Sequence, residues 1–268
     1  MKYIPRLPQR NVNVSATTPL KELFILTVGI VAILVGIYVI LGFTVDLLVP
    51  HITINFEKKI SAFFQGKISD SPALKRKQAY LQALVDRLQT ECGNLPYRLQ
   101  IHLTEDDYFN AMAFPGGHII VFSGLLEVVS SENELAYVLG HEMGHYANRD
   151  HLRGLGRALI LTSASVFLFG PDSRIHHFLL KLLTLTDLSF SRKQEYRADE
   201  YALLRLQCLY GHVGGSTDFL KKIPKAQDPG KFGNYFSSHP ENRRRIARLN
   251  LLIRQKGLQS GPKSSLSF

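Results

Sequence analysis

Apolar and polar residues follow three distinct rhythms along this chain. From residue 23 to 45 there is no charge at all, and Leu23 to Phe43 is almost continuously apolar between Glu22 and Asp46. At about 1.5 Å per residue, a helix of that length crosses a bilayer core. The second rhythm is helical. Leu74, Tyr80, Leu81, Leu84, Val85 and Leu88 predict a helix over 73–90. Ser131-Glu132-Asn133-Glu134 has the Ser-x-x-Glu form of a capping box, and Leu135, Val138, Leu139 and Met143 continue it at helical spacing. The third rhythm is alternation. Tyr97 to Leu103 reads as a half-buried strand, His118 to Phe122 as another, and Pro115-Gly116-Gly117 as the turn before it.

Two apolar pieces follow. Ala158 to Pro171 is uncharged but short for a membrane span, and Phe178 to Leu185 carries Lys181. They are expected to form a buried or membrane-dipping helical hairpin. Arg192 to Glu200 reads as a charge-rich helix, Pro224 to Gly233 as a loop and Glu241 to Gln255 as a closing helix. The order predicts an α+β fold, mostly helical with a small β-sheet, behind an N-terminal transmembrane helix. The expected organisation is a tail at 1–22, an anchor at 23–45, a linker at 46–72, one globular domain at 73–256 and a flexible tail at 257–268, rich in Ser, Gly and Lys.

Composition refines this picture. The apolar stretch is longer than a signal-peptide core of about 7–15 residues, and no Ala-x-Ala site follows it, so it is expected to stay as an anchor. Lys2, Arg6, Arg10 and Lys21 precede it, while Lys58, Lys59 and Lys67 follow. The positive-inside rule narrowly favours a cytoplasmic N-terminus, which puts the domain outside the cytoplasm, at the inner membrane if the source is bacterial. A formal net charge of +10 attracts anionic lipid headgroups. No nucleic-acid motif accompanies it, and the charges are dispersed apart from Arg243-Arg244-Arg245, so nucleic acid is not an expected partner. The two cysteines, Cys92 and Cys208, make no metal pattern. They can pair if the domain is extracytoplasmic, which their spacing does not decide.

The candidate chemistry lies at His141-Glu142-Met143-Gly144-His145, an H-E-x-x-H sequence. On a helix its histidines share one face, where two neutral imidazoles can hold one Zn²⁺, and the intervening glutamate can take a proton from water. Two residues compete as third ligand. His151 extends the motif to H-E-x-x-H-x-x-N-x-x-H, close to the metzincin pattern with Asn148 in the glycine position. That pattern needs a downstream methionine turn, and the only methionines are Met1, Met112 and Met143, all upstream. The other candidate is Glu195, which shares a helical face with Asp199 in Glu195-Tyr196-Arg197-Ala198-Asp199. A carboxylate there can fix the tautomer of a ligating histidine. The alternative for this stretch is a solvated charged helix.

Four ordered blocks carry a resemblance: Asn110 to Gly117 running on to Ser123-Gly124-Leu125-Leu126, His141 to His145, Glu195 to Asp199, and Ser238-His239-Pro240 with Arg245-Ile246. The chain resembles the M48-family zinc metallopeptidases, the group of Ste24-type and HtpX-type membrane proteases. The resemblance implies a zincin-type domain with one zinc ion held by His141, His145 and Glu195, Glu142 as general base and Asp199 behind a histidine, most naturally His141. It further implies that His239 or Arg245, His239 foremost, stabilises the developing oxyanion, with Arg245 equally able to pair with Asp199. The segment Asn110, Ala111, Met112 and Ala113 is implied to be an edge strand that pairs with an extended substrate, a mode that reads backbone rather than side chains.

The expected function is a membrane-anchored zinc endopeptidase. By analogy its substrates are polypeptides such as misfolded or unassembled membrane and envelope proteins, met at the lipid bilayer. The alternatives are a non-catalytic or latent membrane adaptor or chaperone that keeps a zinc site, against which an intact Glu142 argues, and a metal hydrolase of another amide bond.

Overall fold

A computed structural model of the chain describes residues 18–64, 72–93, 95–174, 177, 190–222, 239 and 242–268. The expected apolar piece at 178–185 and the loop at 224–233 lie outside the described residues. The chain divides into two compact units, one ending at Thr44 and the other starting at Val45.

The first unit is carried by helix α1 (Pro19–Leu48), whose apolar side chains are exposed along nearly its whole length. Two of its hydroxyls are satisfied internally: those of Thr27 and Thr44 donate to the carbonyls of Leu23 at 2.7 Å and Ile40 at 2.9 Å. A helix in lipid needs this arrangement, because no water is there to bond. Two helices among the described residues are long and apolar enough to cross a membrane, Pro19–His51 and Asp150–Phe169.

The second unit begins with the last turn of α1, then α2 (Ile54–Phe64) and α3 (Lys75–Thr90). Strands β1 (Gln100–Thr104), β2 (Ala111–Phe114) and β3 (His118–Phe122) follow, then α4 (Ser123–Val128), α5 (Glu132–Ala147) and α6 (Asp150–Phe169). Three helices close the unit: α7 (Arg192–Tyr210), α8 (Asp218–Lys222) and α9 (Asn242–Gln255). The expected helices at 73–90 and 241–255 and both expected strands are present. The sheet order is β1-β3-β2, with β1 parallel and β2 antiparallel to β3. Strand β2 is therefore an edge, joined to β3 by the Pro115-Gly116-Gly117 turn. Gly116 has φ +88°, and a Cβ there would lie 2.5 Å from the Ser61 Cβ, so only glycine fits.

Leu81, Leu84, Val85 and Leu88 of α3 pack with Ile101, Leu103, Ile119 and Val121 of the sheet, and with Leu135, Leu139 and Met143 of α5. Every residue of α5 from Asn133 to Tyr146 is buried, which makes it the central helix of the domain. The Ser131 hydroxyl caps it by accepting from the Glu134 N–H at 3.2 Å, as the capping-box pattern predicts.

Helices α5 and α7 touch backbone to backbone. A Cβ on Gly144 would come within 2.7 Å of Ala198 Cα, and one on Gly140 within 3.3 Å of Ala202 Cα. Small residues four apart on each helix, Gly140 and Gly144 against Ala198 and Ala202, allow that approach.

Two segments read as loose in the sequence carry structure. Residues 54–64, within the expected linker, form α2, where Glu57 and Ser61 are buried. At the C-terminus Leu258, Leu266 and Phe268 pack on the core, and the Ser264 N–H donates to Asn133 Oδ1 at 2.7 Å. Apolar residues that sparse show no periodicity, so the pattern could not reveal their docking.

Candidate metal centre

The motif helix α5 and the charge-rich helix α7 meet face to face, and their close packing brings the donors together. His141 and His145 lie on one face of α5, and Glu195 stands opposite in the first turn of α7, which Ser191 and Gln194 close with a reciprocal capping box. The Nε2 atoms of the two histidines are 3.1 Å apart. Glu195 Oε2 is 3.5 Å from His141 Nε2, and Glu195 Oε1 is 3.5 Å from His145 Nε2. His239 Nδ1 completes the group, 3.3 Å from His141 Nε2 and 3.0 Å from Glu195 Oε1. These four buried residues are the set among the described residues able to hold a metal ion.

The protonation of the rings tests whether the group fits a cation. His141 Nδ1 lies 2.9 Å from Asp199 Oδ1, and His145 Nδ1 lies 3.2 Å from Asp150 Oδ2. Ionised carboxylates only accept, so each Nδ1 carries the proton. Both Nε2 atoms then point lone pairs at one spot, an arrangement a shared cation relieves. Donors about 2.0–2.1 Å from a tetrahedral zinc stand roughly 3.3 Å apart, close to the spacings found here.

Electrostatics point the same way. Burial alone pushes His145 down, but the Asp150 and Glu195 carboxylates outweigh it and bring it up to about 9. The carboxylates around His145 thus favour positive charge there, which a divalent ion at its Nε2 would supply. His141 goes the other way, lowered by burial and by the Arg245 guanidinium. Burial works to raise Glu195, yet His239 and Arg245 hold it well below the usual carboxylate range.

Arg245 and Asp199 are the frame of the site. Arg245 Nε and Nη2 donate to Asp199 Oδ2 at 2.9 Å and Oδ1 at 2.6 Å, a bidentate pair. The Tyr137 hydroxyl adds a bond to Oδ1 at 2.8 Å. Arg245 Nη1 also lies 2.6 Å from Glu195 Oε2, a charge contact without the alignment of a hydrogen bond. Arg245 is 1% exposed. It thus sits behind the donors, tying Glu195 to Asp199.

Glu142 lies between the donor group and the sheet. Its Oε2 accepts from the Ala113 N–H at 2.9 Å, and its Oε1 is 3.8 Å from His239 Nε2. Strand β2 therefore presents its free edge to the glutamate. The neighbouring edge amide, Ala111 N–H, donates to Asn110 Oδ1 at 2.9 Å.

A sequence model of peptidase family M48 matches residues 75–253. The chain belongs to peptidase family M48. Curated relatives include the mitochondrial metalloendopeptidase OMA1 of Schizosaccharomyces pombe, 26% identical over 211 residues, covering 74% of this chain and 61% of the relative. The metalloprotease LoiP of Escherichia coli is 26% identical over 201 residues, covering 72% and 77%. A protease HtpX homolog of Acidiphilium cryptum is 27% identical over 234 residues, covering 72% and 79%. The chain thus spans about three-fifths of the fission-yeast relative.

Within this M48 domain the sequence-derived residues His141, Glu142, His145, Glu195, Asp199, His239 and Arg245 converge, and Ala113 reaches Glu142. His151, the rival third ligand, lies outside the donor group, with its Nε2 2.9 Å from Glu57. Three features of the site lie outside the sequence-derived set. Asp150 orients His145 from the first residue of α6 and is itself bonded by Gln194 at 2.9 Å. Its signal is a lone aspartate just past a helix break, easily passed over. Phe190 stacks on His145 with ring centroids 3.7 Å apart. The small residues Gly140, Gly144, Ala198 and Ala202 were legible as a four-residue repeat on each helix.

Proposed function

We propose that this M48 protein is a membrane-anchored zinc endopeptidase. The observation that carries the reading is the pair of imidazoles whose protonated Nδ1 atoms are held by Asp199 and Asp150 while both Nε2 atoms face Glu195 across a gap of metal-ligand size. His141, His145 and Glu195 hold the ion. Zinc bound there supplies Lewis acidity, easing deprotonation of a water and polarising a peptide carbonyl.

Glu142 is the general base. Its buried carboxylate takes the proton from the attacking water and returns it to the leaving amine. His239 turns its Nε2 toward the Glu142 side of the site, where an N–H can stabilise the oxyanion. Arg245 acts from behind, keeping Glu195 and Asp199 ionised and in place. An extended peptide adds to β2 along Asn110, Ala111, Met112 and Ala113, which brings its backbone beside Glu142 and leaves side-chain demand low. That suits substrates chosen for being unfolded, such as misfolded or unassembled membrane and envelope proteins. The paired cysteines Cys92 and Cys208 favour an oxidising, extracytoplasmic setting for the domain.

A second reading, a latent enzyme or zinc-bearing adaptor, is favoured by the place of His239 inside the donor group. A fourth side-chain donor leaves no open position, and structural zinc sites are closed in this way.

Casein hydrolysis by detergent-purified protein, wild type against Glu142→Gln at equal zinc content, tests the proposal. Cleavage by wild type and none by the variant is the expected outcome. Equal, negligible rates in both, with zinc bound, would favour the latent reading, in which His239→Ala raises activity instead of lowering it.

A further inference from the structure

Helix α2 follows α1 in the chain, within the second unit, and its Glu57 is fully buried far from any donor of the metal group in sequence. The carboxylate is saturated. Its Oε1 accepts from the Gly116 N–H at 2.9 Å and from His151 Nε2 at 2.9 Å, and its Oε2 accepts from the Tyr97 hydroxyl at 2.8 Å. These partners belong to different parts of the site. Gly116 is the middle of the turn that carries β2. His151 sits just past the end of α5, the helix of Glu142.

Other groups around that turn are tied as well. The Tyr146 hydroxyl, next to ligand His145, meets the carbonyls of Phe114 and His118 at the two ends of the turn. The Gln100 N–H donates to the Gly117 carbonyl at 2.7 Å. The Gly116 N–H is held by Glu57. Arg149, held in the left-handed region at φ 55°, fixes the lead-in to α2 by donating to the carbonyls of Val49 and Ile52.

A buried carboxylate is costly to desolvate, and an apolar side chain would pack there more cheaply. What a carboxylate adds is direction: it can grip an amide of the turn and an imidazole of the α5–α6 corner with one oxygen. We propose that Glu57 is a positioning residue of the peptidase. It acts as a strut from the juxtamembrane helix that sets the substrate edge β2 against the Glu142 helix. This rests on the reading of β2 as the strand that binds substrate.

The consequence is selective. Loss of the strut lets β2 drift from its alignment beside Glu142 while His141, His145 and Glu195 keep their own framework. Long peptides that pair along β2 lose more than short ones that do not reach it.

The test compares wild type, Glu57→Ala and Glu57→Gln, full-length in lipid nanodiscs with zinc loaded, on a long and a short quenched-fluorescent peptide. In Glu57→Ala the long-to-short ratio of kcat/KM falls about tenfold, with zinc content unchanged. Glu57→Gln restores the ratio, because the amide oxygen still accepts from Gly116 and His151 while the Tyr97 hydroxyl turns to accept. A parallel loss on both peptides, or no loss in a folded Glu57→Ala, overturns the proposal. Hydrogen exchange on the wild type serves as a second measurement that needs neither a variant nor turnover. The Gly116 amide is expected to exchange as slowly as the β3 amides, and exchange at loop rates overturns the strut. If no peptide is cleaved by wild type while Gly116 is protected, the peptidase reading fails and the strut contact stands. A protected turn in a cleaving enzyme, with an unchanged ratio in Glu57→Ala, sinks the positioning role alone.

Discussion

At the scale of single residues, the site is governed by how the ligand side chains are held rather than by the ligands alone. Asp199 accepts from Tyr137, His141 and Arg245 at once, which fixes the His141 ring and the charge of Arg245 together. Asp199→Ala frees the imidazole to rotate and leaves Arg245 buried without its bidentate partner. Groups behind a ligand are worth about 10–100-fold in metal affinity, and the zinc dissociation constant of Asp199→Ala, measured by chelator competition, should weaken by that order. The pairs His141 with His145 and Glu195 with Asp199 were legible in the sequence, because a helix places residues four apart on one face. Asp150 was not. It reaches His145 across a change of direction between α5 and α6, where spacing along the chain no longer reports distance.

At the scale of elements, the crossing of α5 and α7 decides whether there is a metal site at all. The gap between His145 and Glu195 is set by contact of Gly144 with Ala198. Gly144→Ala drives a methyl into that backbone, and overpacking of this kind costs about 1–3 kcal/mol. The expected result is a lower melting temperature together with less than one zinc per chain. The N-terminal turn of α5 makes a separate three-helix joint. Glu132 accepts from Tyr80 of α3 at 2.5 Å, Arg87 of α3 at 3.1 Å and Tyr210 of α7 at 2.8 Å. Burial works to raise its pKa, but these donors hold it below the ordinary value of 4.5. Its stabilisation is therefore complete above that value and is lost as pH falls through the lower folded value. Glu132→Gln should be less stable than wild type at neutral pH by about 1–2 kcal/mol, with the difference shrinking in acid. Urea unfolding at a series of pH values reads both. Two helices of this joint, α3 and α5, were visible in the sequence as apolar periodicity, and the third, α7, as a charge-rich run. Their mutual contacts were not, since periodicity tells which face is buried and not what covers it.

At the scale of the whole molecule, a disulfide joins Cys92, just beyond α3, to Cys208 near the end of α7, across a sequence separation of 116 residues. A closure that long restricts the unfolded chain strongly, and its removal costs about 2–5 kcal/mol. Cys92→Ser with Cys208→Ser should melt well below the oxidised wild type, and a reductant should lower the wild type to the same midpoint without stripping zinc. The exposed apolar length of α1 asks for lipid, while the domain from Val45 onward has a core of its own.

The sequence by itself determined what depends on near neighbours along the chain. An uninterrupted apolar run makes the long helix α1, capping and period make α3 and α5, alternation makes the strands, and the H-E-x-x-H spacing puts two imidazoles on one face. Tertiary structure decided what depends on distant segments meeting. His239 joins the donor group from 98 residues past His141, Arg245 clamps Glu195 to Asp199, and Glu57 meets the turn of β2 from 59 residues earlier in the chain. It also decided against His151 as a ligand, since that ring turns to Glu57 instead. The physical reason is that local geometry is fixed by backbone and side-chain periodicity, whereas a metal site and its supports are closed by burial, which is known only once the helices have packed.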